Sequence, residues 1–182
     1  MATSLRSIVR RLIGFILNQQ NRQRVYLIDS DILGFTLSAP ERYPLLIQNL
    51  DASDPSERWI SIVTVQELIA WRYNPLLKTA SQQPPAVLRA YHNFLDILVV
   101  LCALQVKQFD ADAMREFRSM KGAGNVGARD RRIAAIALSN DLTVVTNNES
   151  DFEGIKQARP ELNVEYWTKR LYFPRNSASA LS

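Results

Sequence analysis

Short apolar runs alternate with longer stretches of helical spacing along the chain. The runs at residues 25–28, 59–63, 104–109 and 142–145 are interpreted as strands, and residues 164–167 as a final edge strand. Strands that alternate with helices predict a three-layer α/β/α fold with a mostly parallel central sheet of four to five strands. Ligands of such folds bind outside the carboxyl ends of the strands.

Between these runs, apolar residues recur at the spacing of a helix. The predicted helices follow the first strand and cover residues 45–50, 64–73, 85–101, 112–120 and 131–139. Thr64 is expected to cap the helix that runs to residue 73, with Glu67 completing a capping box. The 85–101 helix is apolar on all sides and is expected to be buried, and Cys102 beyond it is interpreted as a small buried hydrophobe.

The two ends of the chain differ from its middle. Residues 1–23 carry several arginines, no acidic residue and apolar side chains spaced along one face, which predicts a basic amphipathic helical extension. A transit peptide, or a helix that lies on a surface or a partner, is an alternative interpretation. Residues 24–170 are expected to form the main domain and residues 171–182 a flexible tail.

Composition narrows the class of protein. The 182 residues are 47% hydrophobic and 22% charged, which is enough apolar material for a core. One cysteine and one histidine allow no internal disulfide and disfavour a structural zinc site, so a reducing, cytoplasmic location is expected. No membrane span is predicted, because the longest apolar run, 94–106, is short and contains Asp96 and Gln105. The net charge of +4 is compatible with phosphate contacts, but taken alone it favours an ordinary solubilising surface.

Four acidic residues stand where the predicted topology brings chain segments to one edge of the sheet. Asp29 follows the first strand, and Glu67 lies in the first turn of the helix after the second strand. Asp130 begins the helix before the fourth strand, and Asp151 follows that strand by a short loop. Each alone has a structural interpretation as a cap, a helix-dipole partner or a turn residue. Together they predict one cluster of carboxylates.

A cluster of carboxylates predicts a divalent cation. Like charges at close range raise one another's pKa and oppose folding. Hard cations such as Mg²⁺ prefer oxygen ligands, keep several waters and lower the pKa of a water that attacks phosphorus. Such chemistry requires no serine or histidine nucleophile, and the sequence offers no convincing one.

Three segments carry a resemblance to a known family. Residues 26–31 read Tyr-Leu-Ile-Asp-Ser-Asp, residues 61–67 read Ser-Ile-Val-Thr-Val-Gln-Glu, and residues 127–152 combine a glycine, an acid, an Ile-Ala-Ala helix, Thr-x-Asn and Asp-Phe. In this order they resemble the PIN-domain family, in particular the VapC-like toxin ribonucleases. The departures are Ser30 and Asp31, where the family more often has Thr and Asn. Asp31 is interpreted as a cap of the next helix, with a supporting charge beside the metal site as the alternative.

The resemblance implies a function and a set of site residues. It implies a Mg²⁺- or Mn²⁺-dependent endoribonuclease, the toxin of a type II toxin–antitoxin system, with an RNA substrate, a small antitoxin partner and a homodimeric state. The implied catalytic and metal-binding residues are Asp29, Glu67, Asp130 and Asp151, supported by the polar side chains of Ser30, Thr146 and Asn148.

Basic residues near Asp130 are candidates for contacts to RNA phosphates. They are Arg129, Arg131, Arg132 and Lys121. The alternative for the arginines is a solvated helix start.

Two other functions fit part of the pattern. Asp29-Ser30-Asp31 after a strand resembles the nucleophile motif of haloacid-dehalogenase-like phosphatases, but Leu33 stands where that family usually has Thr or Val. A catalytically silent RNA- or partner-binding PIN module would keep the fold, although the presence of all four acids argues against it.

Overall fold

The computed structural model describes residues 24–79, 83–120 and 126–169. The predicted helical extension 1–23, the tail 171–182 and most of the glycine loop, including Lys121, lie outside the described residues. From Val25 onward the described residues belong to one compact unit. The domain boundaries expected from the sequence therefore stay a prediction.

The described strands form one parallel sheet in the order β3-β2-β1-β4-β5. They are β1 Tyr26–Ile28, β2 Arg58–Ser61, β3 Gln105–Lys107, β4 Thr143–Val145 and β5 Asn163–Glu165. The registers place Ile28 beside both Ile60 and Val145, so the three central strands end at the same edge. The predicted parallel sheet is confirmed, and β5 lies at its edge as expected.

Seven α-helices of the described residues cover the two faces of the sheet. They are α1 Ser30–Ser38, α2 Pro44–Ala52, α3 Ile62–Thr79, α4 Pro84–Ala103, α5 Ala111–Ser119, α6 Ala128–Ser139 and α7 Glu149–Ala158. Leu27 and Val144 point to a core shared with α5, α6 and α7. Ile28 and Val145 point to a core shared with α1 to α4. Alternate strand residues thus supply two cores, and the three-layer α/β/α fold is confirmed.

The start of α3 differs from the prediction. Strand β2 ends at Ser61, whose buried Oγ accepts a hydrogen bond from the Thr64 N–H at 2.8 Å and lies 2.9 Å from Thr64 Oγ1. Ser61 therefore caps the helix, and the predicted capping box of Thr64 and Glu67 is wrong. The β-branched Ile62 and Val63 suggested a longer strand, but the serine hydroxyl satisfies a free helix N–H and turns the chain earlier. Glu67 lies in the second turn.

Helix α4 is not buried as predicted. It extends from Pro84 to Ala103, but it buries only a narrow stripe of Ala90, Ile97 and Leu101. Cys102 is exposed, so its interpretation as a buried hydrophobe is also wrong. A helix that is apolar all round has more apolar surface than its neighbour α3 and the sheet can cover. The uncovered apolar side chains are Leu88, Tyr91, Leu95, Leu98 and Val99.

The composition of α4 raises the question of a membrane. Within the part of the chain that the structure describes, α4 is the one helix with the length and mean hydropathy, 1.5, to cross a bilayer. Core helices of globular proteins can pass the same test, so length and composition alone do not place α4 in a membrane. Arg89, His92 and Asp96 are exposed along it, and polar or charged groups that face lipid are costly. The expected absence of a membrane span stays a prediction.

We predict that Ser61→Ala destabilises the fold by about 1–2 kcal/mol, because it removes the cap of α3 and leaves the buried Thr64 N–H without its acceptor. Urea unfolding followed by circular dichroism measures the loss. The control is Ser38→Ala, an exposed serine at the end of α1, for which we expect a change below about 0.5 kcal/mol. Equal effects of the two substitutions would contradict the capping role.

Candidate active site

Asp29 occupies the shared end of β1 and β4. Its backbone N–H continues the sheet by donating to the Val145 carbonyl at 2.9 Å. Its carboxylate, only 4% exposed, caps α1 by accepting from the Ser30 N–H at Oδ1, 2.7 Å. At Oδ2 it accepts from Thr146 Oγ1 at 2.8 Å. The adjacent central strands therefore bring Asp29 and Thr146 together, although 117 positions separate them along the chain.

Ser30 connects Asp29 to Glu67. The Ser30 hydroxyl donates to Glu67 Oε2 at 2.7 Å and lies 3.4 Å from Asp29 Oδ1. Glu67 reaches this position because the early cap at Ser61 places it one full turn inside α3. The polar role expected for Ser30 is thus a bridge between two of the predicted site carboxylates.

Asp130 and Asp151 reach the same edge from two helix starts. Asp130 lies in the first turn of α6, where burial, followed by the charges of Asp29, Asp151 and Glu67, raises its pKa to about 6. Asn148 orients Asp151 by donating from Nδ2 to Oδ2 at 3.0 Å. The structure therefore brings Asp130 within electrostatic reach of the other three predicted acids.

Gly127 has a steric role beside Asp130. A Cβ at position 127 would lie 3.1 Å from Asp130 Oδ2, which is tighter than an ordinary contact. The absence of a side chain at the cap of α6 leaves the carboxylate its space.

Asp31 is a fifth acidic residue at this edge, as the alternative interpretation of this residue expected. The helix cap is Asp29, so the interpretation of Asp31 as the cap is wrong. Asp31 accepts instead from the Asn147 N–H at 2.9 Å and from the Ile32 N–H at 2.6 Å. Burial raises its pKa, and the charges of Asp130 and Glu67 raise it further. The position of Asp31 in the sequence could have indicated its place in the site. A helix cap at residue 29 puts residue 31 in the first turn of the helix, at the same edge of the sheet.

The five acids, named here the acidic cluster, are Asp29, Asp31, Glu67, Asp130 and Asp151. Burial, then the charge of Asp31, raises the pKa of Asp29 from 3.8 to about 7, against the lowering effect of hydrogen bonds from Thr146 and Ser30. The charge of Glu67 adds to the rise. Without a counter-ion, Asp29 therefore holds a proton close to neutral pH.

The donor set fits a hydrated divalent cation better than a closed cage. Among the described residues, no three acidic, histidine or cysteine side chains are placed to coordinate one ion directly. Mg²⁺ typically takes one or two carboxylates and keeps several waters, so three direct protein ligands are not required. Hard carboxylate oxygens with raised pKa values at Asp29 and Asp130 are the expected chemistry of such a site.

The sequence of the domain that carries this site matches a known family. The PIN-domain model matches residues 26–157, from β1 into α7. The chain belongs to the PIN-domain family. No curated protein sequence matches it significantly.

Solved structures share the fold of this PIN domain. DNA-bound VapBC from Salmonella typhimurium is 26% identical, with a TM-score of 0.59 over 79% of this chain and 98% of that chain. FitAcB from Neisseria gonorrhoeae is 20% identical, with a TM-score of 0.57 over 79% of this chain and 98% of that chain. A toxin–antitoxin complex from Klebsiella pneumoniae is 21% identical, with a TM-score of 0.57 over 78% and 97%. The chain is therefore similar to the PIN domains of VapC type.

The candidate phosphate-binding arginines of the PIN domain separate into two groups. Arg129 Nη1 donates to Glu67 Oε1 at 3.1 Å and so contacts the acidic cluster. The guanidinium groups of Arg131 and Arg132 lie 5.3 Å and 5.6 Å from the Phe117 ring in α5. Of these three arginines, only Arg129 is held at the acidic cluster, while the other two pack against α5.

We predict that the metal-free PIN domain loses stability as pH rises. The folded pKa of Asp29, about 7, lies above its ordinary value of 3.8, so the folded state binds more protons between these values. The stabilisation is complete below pH 3.8 and is lost as pH rises through about 7. In EDTA, the melting temperature of the wild type should therefore fall more steeply from pH 5 to pH 8 than that of Asp29→Asn.

The control for this experiment is Glu41→Gln. Glu41 is exposed beyond the far end of α1, which is about 13 Å long, and its substitution should leave the pH dependence unchanged. Parallel melting curves for the wild type and Asp29→Asn would show that Asp29 is ionised in the folded protein throughout this range.

Proposed function

We propose that this chain is a Mg²⁺- or Mn²⁺-dependent endoribonuclease that hydrolyses RNA phosphodiester bonds. The observation that carries the proposal is the acidic cluster itself. Five carboxylates converge at the carboxyl edge of the sheet, where burial, followed by the charges of neighbouring acids, raises the pKa of Asp29 to about 7 and that of Asp130 to about 6. Stability alone would not favour such a concentration of charge, whereas binding of a cation requires it.

The residues of the cluster have distinct roles in the proposal. Asp29, Glu67, Asp130 and Asp151 would hold the cation, and Ser30, Thr146 and Asn148 fix the orientation of three of these carboxylates. When bound, a divalent cation supplies Lewis acidity toward a phosphate and lowers the pKa of water.

Ser30 and His92, two described side chains that could act as nucleophiles, are already hydrogen-bonded. The Ser30 hydroxyl donates to Glu67, and His92 lies on exposed α4 with Nδ1 bonded to the Leu88 carbonyl. Both oxygens of Asp29 are hydrogen-bonded and the residue is buried, which disfavours the phosphoaspartate chemistry of a haloacid-dehalogenase-like phosphatase. These contacts support hydrolysis by an activated water.

We predict that Asp29→Asn and Asp130→Asn each abolish cleavage of single-stranded RNA in Mn²⁺, because each removes a charge that the cation requires. The measurement is gel analysis of fluorescent RNA and DNA oligonucleotide pools. The control is Asp112→Asn, an exposed acid on α5 paired with Arg115, which should cleave like the wild type. Full activity of Asp130→Asn would contradict the proposed site. Cleavage of DNA alone would show that the substrate is DNA and not RNA.

We further propose that the chain is the cytoplasmic toxin of a type II toxin–antitoxin system and that a small antitoxin restrains it. Support comes from the solved neighbours, which include a complex described as VapBC bound to DNA and another described as a toxin–antitoxin complex. The acidic cluster is suited to an inhibitor that presents a cationic group, since such a group would replace the cation as counter-ion.

A homodimer is also part of the proposal, and α4 offers a surface for it. Leu88, Tyr91, Leu95 and Leu98 follow one another at steps of three, four and three residues, which is the spacing of a seam between two helices. The seam itself is uncharged, and Arg89 and Asp96 flank it, so it offers no excess of acid to a basic segment such as residues 1–23.

A second copy of the chain fits this seam. An antiparallel contact with its two-fold axis midway between Tyr91 and Leu95 would set Tyr91 opposite Leu95 and Leu88 opposite Leu98, so that the seam pairs with itself. The same surface would then serve both protomers.

We predict that Leu95→Lys converts the dimer to a monomer, because it places two charges at the centre of an apolar seam. Light scattering after gel filtration should give the mass of one 20.7 kDa chain instead of two. Leu95 is 58% exposed, so the fold should tolerate the change. The control is Leu37→Lys, an exposed leucine outside the seam, which should remain dimeric. A monomeric wild type would exclude this use of α4.

A further inference from the structure

The two oxygens of Glu67 have different kinds of partner. Oε2 accepts from the Ser30 hydroxyl at 2.7 Å, which belongs to the internal network around Asp29. Oε1 accepts from Arg129 Nη1 at 3.1 Å, which forms an ion pair between α3 and the first turn of α6. Arg129 directly precedes Asp130, so this guanidinium lies where the acidic cluster meets the start of α6.

Arg129 is the counter-ion of the acidic cluster within the described part of the chain. Among residues 24–79, 83–120 and 126–169, its ion pair with Glu67 is the only one that involves a member of the cluster. Burial and neighbouring anions raise the pKa values of Asp29, Asp31 and Asp130. Within the described residues, the guanidinium of Arg129 therefore pairs with Glu67 and forms no ion pair with the other acids of the cluster.

The exposure of the two partners is unequal. The Glu67 side chain is 14% exposed, whereas the Arg129 side chain is 68% exposed and makes one contact to Glu67 through Nη1. An exposed cation in such a pair is screened by water and costs little to release. Glu67 is fixed by Ser30, so loss of Arg129 would not free the carboxylate.

We propose that Arg129 is a displaceable internal counter-ion, and that a divalent cation competes with it for Glu67 Oε1. The inference rests on the proposed metal-dependent function. Cation binding and the Arg129–Glu67 pair oppose one another, because two positive charges would compete for the same carboxylate and repel each other at close range. The released guanidinium remains beside Asp130, where its planar set of donors can bind a phosphate of the substrate.

A purely structural role of Arg129 predicts the opposite effect on metal affinity. If Arg129 served to orient Glu67, its removal would loosen a ligand and weaken cation binding. If Arg129 competes for Glu67, its removal frees an oxygen, removes a repulsive charge and strengthens cation binding. The sign of the change therefore separates the two roles without any measurement of RNA cleavage.

The test is calorimetric titration of the full chain with Mn²⁺ alone. Arg129→Gln should lower the Kd by about threefold or more, since release of an exposed ion pair corresponds to factors of this order. Arg129→Lys keeps the charge but loses the planar fork, and should lie between Arg129→Gln and the wild type. The matched control is Arg115→Gln, which removes an equally exposed arginine paired with Asp112 and should leave the Kd unchanged.

The outcomes distinguish the inference from the function on which it rests. An unchanged or higher Kd in folded Arg129→Gln, with Mn²⁺ bound normally by the wild type, overturns the competition and leaves the proposed function intact. Absence of Mn²⁺ binding by the wild type, together with an unchanged melting temperature, overturns both. If Arg129→Gln fails to fold, an unchanged or higher Kd in Arg129→Lys overturns the inference.

Discussion

The burial of one carboxylate between the ends of β1 and β4 is the constraint on which the site depends. Asp29 caps α1, continues the sheet through its N–H and accepts the Thr146 hydroxyl with the same side chain. These contacts set where α1 begins and how the loop after β4 runs. Ser30 and Asn148 then position Glu67 and Asp151 by hydrogen bonds. A helix cap thus also serves as the centre of the acidic cluster.

This construction concentrates negative charge where the protein has little to neutralise it. Hydrogen bonds from Ser30 and Thr146 favour ionised Asp29, but burial and the charge of Asp31 outweigh them. The folded domain therefore keeps a proton, or needs a counter-ion, at the point where two central strands end. Such an unfavourable concentration of charge at a buried site is expected where function, rather than stability, has selected the residues.

The surface of the domain shows a similar division between folding and interaction. Helix α4 uses Ala90, Ile97 and Leu101 to pack on the core, while a separate apolar stripe faces outward. The core needs only the first set. The outward stripe takes no part in the fold of one chain, and it is the surface that we propose for contact with a second copy.

The sequence by itself determined the order of the strands and of six of the seven described helices, the parallel sheet and the convergence of acids at one edge. Apolar periodicity and parallel topology are enough for these features, because each depends on neighbours along the chain. The sequence did not predict helix α7, which places Asp151 in a first helical turn instead of a loop. The tertiary structure alone decided that Ser61 caps α3, that Asp31 joins the cluster and that α4 stays exposed. It also decided that Arg129 contacts Glu67 whereas Arg131 packs on Phe117. These outcomes depend on burial and on contacts between distant segments, which spacing in the sequence does not encode.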